Sequence, residues 1–121
     1  MPPYVWLGVA CLGGIGALAR FLIDGSVNAR VQSDFPWGTF LINVSGSFAL
    51  GLLVGAAVSG EALVLAGTAT LGGFTTFSTW VLETNRLGEE DDRLILVVNI
   101  AGTLVAGLVA AYVGQTVGQL L

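Results

Sequence analysis

The chain has 121 residues, of which 55% are hydrophobic, and its only charged side chains are four arginines and eight acidic residues. Soluble domains carry roughly 25% charged residues, against 10% here. The absence of His and a lone cysteine, Cys11, exclude the usual zinc, haem and iron–sulfur ligand sets and an internal disulfide; the absence of Lys excludes a GxxxxGK[ST] phosphate loop, and a net charge of −4 argues against a nucleic-acid partner.

The charges fall at 20, 24, 30, 34, 61, 83, 86 and 89–93, leaving four uncharged windows at 1–19, 35–60, 62–82 and 94–121. A membrane-crossing helix needs about 20 apolar residues. The pattern predicts an all-α integral membrane protein, a single domain over 1–121 with four transmembrane helices at about 4–23, 37–58, 62–85 and 93–118. The first is read as a retained span: Ala17-Leu18-Ala19 resembles a cleavage site, but Met1-Pro2-Pro3-Tyr4 lacks the basic residue of a signal peptide. Arg20 lies near its inner end, where it either snorkels to the interface or serves an anion-attracting vestibule or a buried structural pair. The connection Asp24–Pro36 follows. The second span carries Asn43, Ser47, Gly51 and Gly55 at i,i+4 spacing, and Ser59-Gly60-Glu61 makes a tight turn.

The third span has Glu83 near its end and is followed by the acidic connection 87–92. The fourth carries one row of Asn99, Thr103, Gly107 and Ala111 and another of Gly102, Ala106, Ala110, Gly114 and Gly118. Rows of small residues are the expected contact surfaces between helices in lipid, where the hydrophobic effect does not hold helices together. Asn43 and Asn99 need hydrogen-bond partners at that depth, either across a helix interface or along a narrow wet path. If the termini share one side, Arg30, Arg86 and Arg93 lie on the other with Arg20 near them, and the positive-inside rule favours cytoplasmic first and third connections, with so modest a bias that insertion both ways stays open.

The middle of the third span, Thr70-Leu71-Gly72-Gly73-Phe74-Thr75-Thr76-Phe77-Ser78-Thr79-Trp80, is the most informative segment. Gly is a poor helix former and Thr is stiff at χ1, so the Gly pair followed by the Thr pair predicts a helix broken near its middle. Backbone freed at that depth is tolerated only where protein, water or an ion satisfies it. Free carbonyls suit a small hard cation, and nearby hydroxyls and amides suit an anion. Phe77 and Trp80, three apart, share a face beyond the break, where ring edges can meet an anion.

At these residues the sequence resembles the Fluc/CrcB family of small fluoride channels. The resemblance covers essentially the whole chain through Gly13-Gly14-Ile15-Gly16-Ala17-Leu18-Ala19-Arg20, Gly38-Thr39-Phe40-Leu41-Ile42-Asn43-Val44-Ser45-Gly46-Ser47-Phe48 and Gly72-Gly73-Phe74-Thr75-Thr76-Phe77-Ser78-Thr79. It implies an antiparallel dual-topology dimer in the cell membrane, with two fluoride paths at the subunit interface and passive export of fluoride that lowers its toxicity. It implies a central structural Na+ on backbone carbonyls, here Gly72 and Thr75. Asn43 becomes a pore polar residue, Phe77 and Trp80 line the path, Ser78 and Thr79 form part of a polar track, and Arg20 serves a vestibule or a structural role. Asn99 and Thr103 match the polar residues of the fourth span by spacing. Two departures stand out: the second pore aromatic is usually Phe, and Asn99 stands where a larger aromatic or another polar group is common. The partner is then a second copy or a related chain, since some relatives work as pairs of different subunits. No side chain is placed for covalent chemistry, so no enzyme is expected. The rivals are a small proton-coupled multidrug exporter, which needs a carboxylate deep in a span where Asp24 and Glu83 lie at span ends, and a non-transporting membrane scaffold, which does not need the break.

Overall fold

A computed structural model describes residues 1–121. The chain is all helical: α1 is Pro3–Arg30, α2 is Trp37–Gly55, α3 is Gly60–Leu63 and runs into a π-helical stretch, Val64–Leu71, then α4 is Gly72–Phe74, α5 is Ser78–Glu89 and α6 is Arg93–Gln119. Three of these, α1, α2 and α6, are long and apolar enough to cross a membrane. The expected third span, 62–85, is a train of shorter pieces, bent rather than continuous. Its interruption lies at residues 75–77, where Thr75 is extended at φ −79° and ψ 160°.

The break thus falls after the Gly pair, not within it. Gly72 and Gly73 both stay helical, and the small size of Gly73 serves packing: a Cβ there would run into the Gly13 carbonyl of α1. The widened π turns ahead of it carry a matching side-chain bond, Thr70 Oγ1–H to the Leu65 carbonyl at 2.7 Å, five residues back; such wide turns are frequent next to functional sites. Three boundaries also move. The first helix continues from the expected end at 23 to Arg30, because Asn28 Nδ2 donates to Asp24 Oδ1 one turn back at 3.2 Å and polar groups at a helix end need not stop it. The third segment runs to Glu89 rather than 85. The second helix stops at Gly55 rather than 58, because Ala57 adopts a left-handed conformation at φ 60°. Its N–H bonds Val54 O and the next N–H, of Val58, bonds Leu53 O, both at 3.0 Å, which closes the helix end.

Only 16 of 121 residues are buried, and among them are Thr39, Thr76, Asn99 and Thr103 as well as glycines, while Leu, Val and Phe side chains cover the outside. This is the inside-out distribution of a chain whose solvent is lipid: the chain is a multi-pass membrane protein. The helices meet where side chains are smallest. Gly51 and Gly55 of α2 lie against the Ala111 and Gln115 carbonyls of α6, while Gly114 and Gly118 of α6 lie against the Phe48 and Leu52 carbonyls of α2. Gly16 of α1 packs on Thr70 and Phe74 in the same way. At Gly102, by contrast, a Cβ would meet only Val98 of the same helix, so the close contact of its row lies at the Gly114 and Gly118 end.

A non-Gly residue in the left-handed region costs about 1–2 kcal/mol. Ala57→Gly is therefore expected to raise stability by about 1 kcal/mol, seen as a higher unfolding midpoint in detergent, and Ala57→Val to lower it.

Candidate functional site

The interruption is held open by one side chain. Asn43 of α2 bonds both polar atoms of the Thr76 peptide unit: its Nδ2–H donates to Thr76 O, and its Oδ1 accepts from Thr76 N–H, each at 2.8 Å. Ser47 Oγ–H donates to the Asn43 carbonyl at 2.8 Å and continues the row on α2. Thr76 Oγ1 in turn accepts from Thr79 N–H at 3.2 Å and so caps the first turn of α5. All three polar groups of Thr76 are thereby engaged, and the residue is buried.

Diverting Thr76 N–H to Asn43 removes the donor that a continuous helix would give to the Gly72 carbonyl. Thr75 N–H reaches the Leu71 carbonyl at 2.9 Å, and no backbone or side-chain donor ends on the Thr75 carbonyl. Both carbonyls belong to residues that line an open groove of about 620 Å³ between α2, the broken segment and α6. Its wall also carries Asn43, Gly46, Ser47, Thr68, Thr76, Phe77, Trp80, Thr103 and Gly107. The wall sets these neutral donors, carbonyls and rings among the apolar side chains of Leu50, Leu71, Leu104 and Leu108, with no cluster of His, Cys, Asp or Glu capable of chelating a metal through side chains. Phe77 and Trp80 stand with ring centroids 5.6 Å apart and planes tilted by 59°, and Phe77 is 73% exposed. The indole N–H that distinguishes Trp80 from Phe donates to the Asn99 carbonyl at 3.3 Å.

On the far side of the break lies a smaller hollow of about 160 Å³, lined by Arg20, Phe21, Asp24, Thr39, Ile42, Thr76 and Thr79. Thr76 lines both cavities, so the interrupted backbone is the partition between them. The residues singled out from sequence therefore divide into two groups. Asn43, Gly72, Thr75, Phe77, Trp80 and Thr103 line the groove, and Arg20 and Thr79 line the hollow. Ser78 is exposed, with its Oγ 3.5 Å from Thr76 Oγ1. Asn99 is fully buried and lines neither cavity; its Nδ2–H donates to Thr84 Oγ1 at 2.9 Å.

Sequence reading left Thr39, Thr76 and Thr84 out of the site. Thr39 Oγ1–H donates to the Glu83 carboxylate, tying the start of α2 to the middle of α5. Thr39 stands one turn before Asn43 in the second span, a spacing that extends the polar row at its start. Nothing local marked Thr84.

Loss of the Asn43 amide leaves both Thr76 groups without partners, at about 1–3 kcal/mol each. Asn43→Ala is expected to destabilise the protein by roughly 2–6 kcal/mol and to accelerate hydrogen exchange at the Thr76 amide. Asn43→Asp keeps an acceptor for Thr76 N–H and loses the donor to Thr76 O, so it should retain more protection at that amide than Asn43→Ala.

The chain matches the family model described as CrcB-like protein, Camphor Resistance (CrcB), over residues 7–115. It is 50% identical over 117 residues to Fluoride-specific ion channel FluC 2 of Mycolicibacterium paratuberculosis, with 97% of this chain and 96% of that one covered. It is 47% identical over 116 residues to the FluC 2 protein of Mycobacterium tuberculosis, with 96% and 92% covered. With Fluoride-specific ion channel FluC 1 of Rubrobacter xylanophilus it shares 45% identity over 106 residues, 87% of this chain and 86% of that one. A multi-pass chain that interrupts one helix over a groove of neutral donors, and that aligns almost end to end with these proteins, belongs to the CrcB family of ion channels and is not an enzyme.

Proposed function

We propose that the chain is a fluoride-selective channel that lets fluoride leave the cytoplasm passively, built as an antiparallel dimer of four-span subunits with a structural Na+ at its centre. The observation that carries this reading is the pair of unpaired carbonyls, Gly72 and Thr75, on a groove furnished with hydroxyls, an amide and aromatic rings. The relatives named as fluoride-specific channels supply the ion.

Carbonyl oxygens without hydrogen-bond donors fit a small hard cation, and the lack of chelating side chains leaves the backbone as the ligand. Na+ on Gly72 and Thr75 supplies a fixed positive field near mid-membrane. A second, antiparallel copy covering the open groove would double the carbonyl set and cover Phe77, whose ring is otherwise mostly bare. The segment Gly60–Glu89 then makes the third crossing in two halves, and the α5 N-terminus gives its partial positive charge to the wall of the path.

Fluoride has to exchange its water for donors of similar strength, because binding that is too tight stops conduction. The hydroxyls of Thr79 and Ser78 and the edges of Phe77 and Trp80 are such donors, while Thr103 lines the groove with its Oγ1 buried. Arg20 in the smaller hollow attracts the anion before it passes the Thr76 partition. The Asn43 amide uses one Nδ2–H on Thr76 and keeps the other for the groove it lines. Selectivity over larger halides follows from width and from hydrogen bonding that weakens with ion size.

The reading is tested in liposomes loaded with fluoride or chloride. The reconstituted chain should release fluoride, read by an ion-selective electrode, and retain chloride. Phe77→Ile should slow fluoride release at least tenfold, and replacing Na+ on both sides by an organic cation should slow it as well. Release by the chain alone assigns a homodimer, and release only with a related chain assigns a mixed pair. Fluoride release indifferent to Phe77→Ile would remove the residue assignment.

A further inference from the structure

Asn99, Thr84 and Trp80 form a closed ring of hydrogen bonds that the conduction path does not use. Trp80 Nε1–H donates to the Asn99 carbonyl at 3.3 Å. Asn99 Nδ2–H donates to Thr84 Oγ1 at 2.9 Å, and Thr84 Oγ1–H donates to the Trp80 carbonyl at 2.8 Å. The Thr84 hydroxyl spends its one proton on Trp80 and a lone pair on Asn99, so the ring closes without conflict. We infer that Asn99 and Thr84 are positioning residues, which latch the Trp80 indole to α6 and so set how far its ring projects into the groove.

Three features support this assignment. Leu87 is the one fully buried side chain of α5, three residues past Thr84, so near the groove α5 is held on α6 by polar bonds. Asn99 is fully buried and its Oδ1 has no partner; an amide placed for packing alone would be better replaced by an apolar side chain, so its N–H is what the position uses. Thr103 lies one turn beyond Asn99 on α6 and lines the groove with Trp80, so the latch fixes the gap between the indole and that wall of α6. Because the indole N–H is taken by Asn99, Trp80 offers the groove its ring and its bulk and no nitrogen donor.

The inference rests on the channel reading for its effect on flux and on geometry alone for the latch, and two readouts separate them. In a Trp6→Phe, Trp37→Phe background, emission anisotropy in bilayers reports Trp80 alone. Thr84→Val and Asn99→Leu are expected to lower that anisotropy and to change fluoride release at least threefold, and the double variant to do no more than either single one. Thr84→Ser, which keeps the hydroxyl, is expected to restore both readouts. Unchanged anisotropy in well-assembled Thr84→Val and Asn99→Leu proteins overturns the latch, whatever the flux. Lowered anisotropy with wild-type flux leaves the indole tethered as described and overturns its role in setting the path. Should Thr84→Val fail to assemble, Thr84→Ala carries the same expectations. A parent protein silent to fluoride refutes the channel reading, while the anisotropy arm still decides the latch.

Discussion

In hydrocarbon a peptide group without a partner costs several kcal/mol, so a helix can break at depth only where something replaces the bonds it gives up. Here the replacement is the Asn43 amide, which holds Thr76 N–H and Thr76 O at once. No other side chain combines donor and acceptor at the spacing of one peptide unit as an Asn or Gln does. Its capture of Thr76 N–H is what leaves the Gly72 carbonyl without its intrahelical donor, and the extended Thr75 leaves a second carbonyl free beside it. Cavity, partition and carbonyl pair all follow from that one reciprocal contact.

The contact depends in turn on how closely the helices approach. Gly46 of α2 sits against Thr75, with no room for a Cβ, which brings Asn43 within reach of the break. The glycines at α2–α6 and α1–α4 serve the same end, because lipid offers no hydrophobic gain for helix association and contact has to come from close packing and interhelical hydrogen bonds. A high glycine content therefore accompanies close helix packing here.

Much of this was readable from residue order. Charge-free windows marked α1, α2 and α6 because a long apolar stretch has few other uses, and the Gly-Gly, Thr-Thr sequence marked an interruption. The details depended on tertiary partners. Whether Gly72–Gly73 or Thr75–Thr76 would yield was settled by Gly13 packing on one and Asn43 capturing the other. The first charge cluster does not end α1, because Asp24 accepts from Asn28 within the helix. The π turns left no trace in composition. Asn99 looked like a twin of Asn43, each heading a row of small residues, but its helix turns that face toward α5, where Thr84 and Trp80 meet it.

Carbonyl 13C solid-state NMR of protein labelled at Gly72 and Thr75 in bilayers reads the two free carbonyls directly. The account predicts an extended-backbone shift for Thr75 and a change at both carbons when Na+ replaces an organic cation. Helical shifts at both sites, indifferent to Na+, would contradict it.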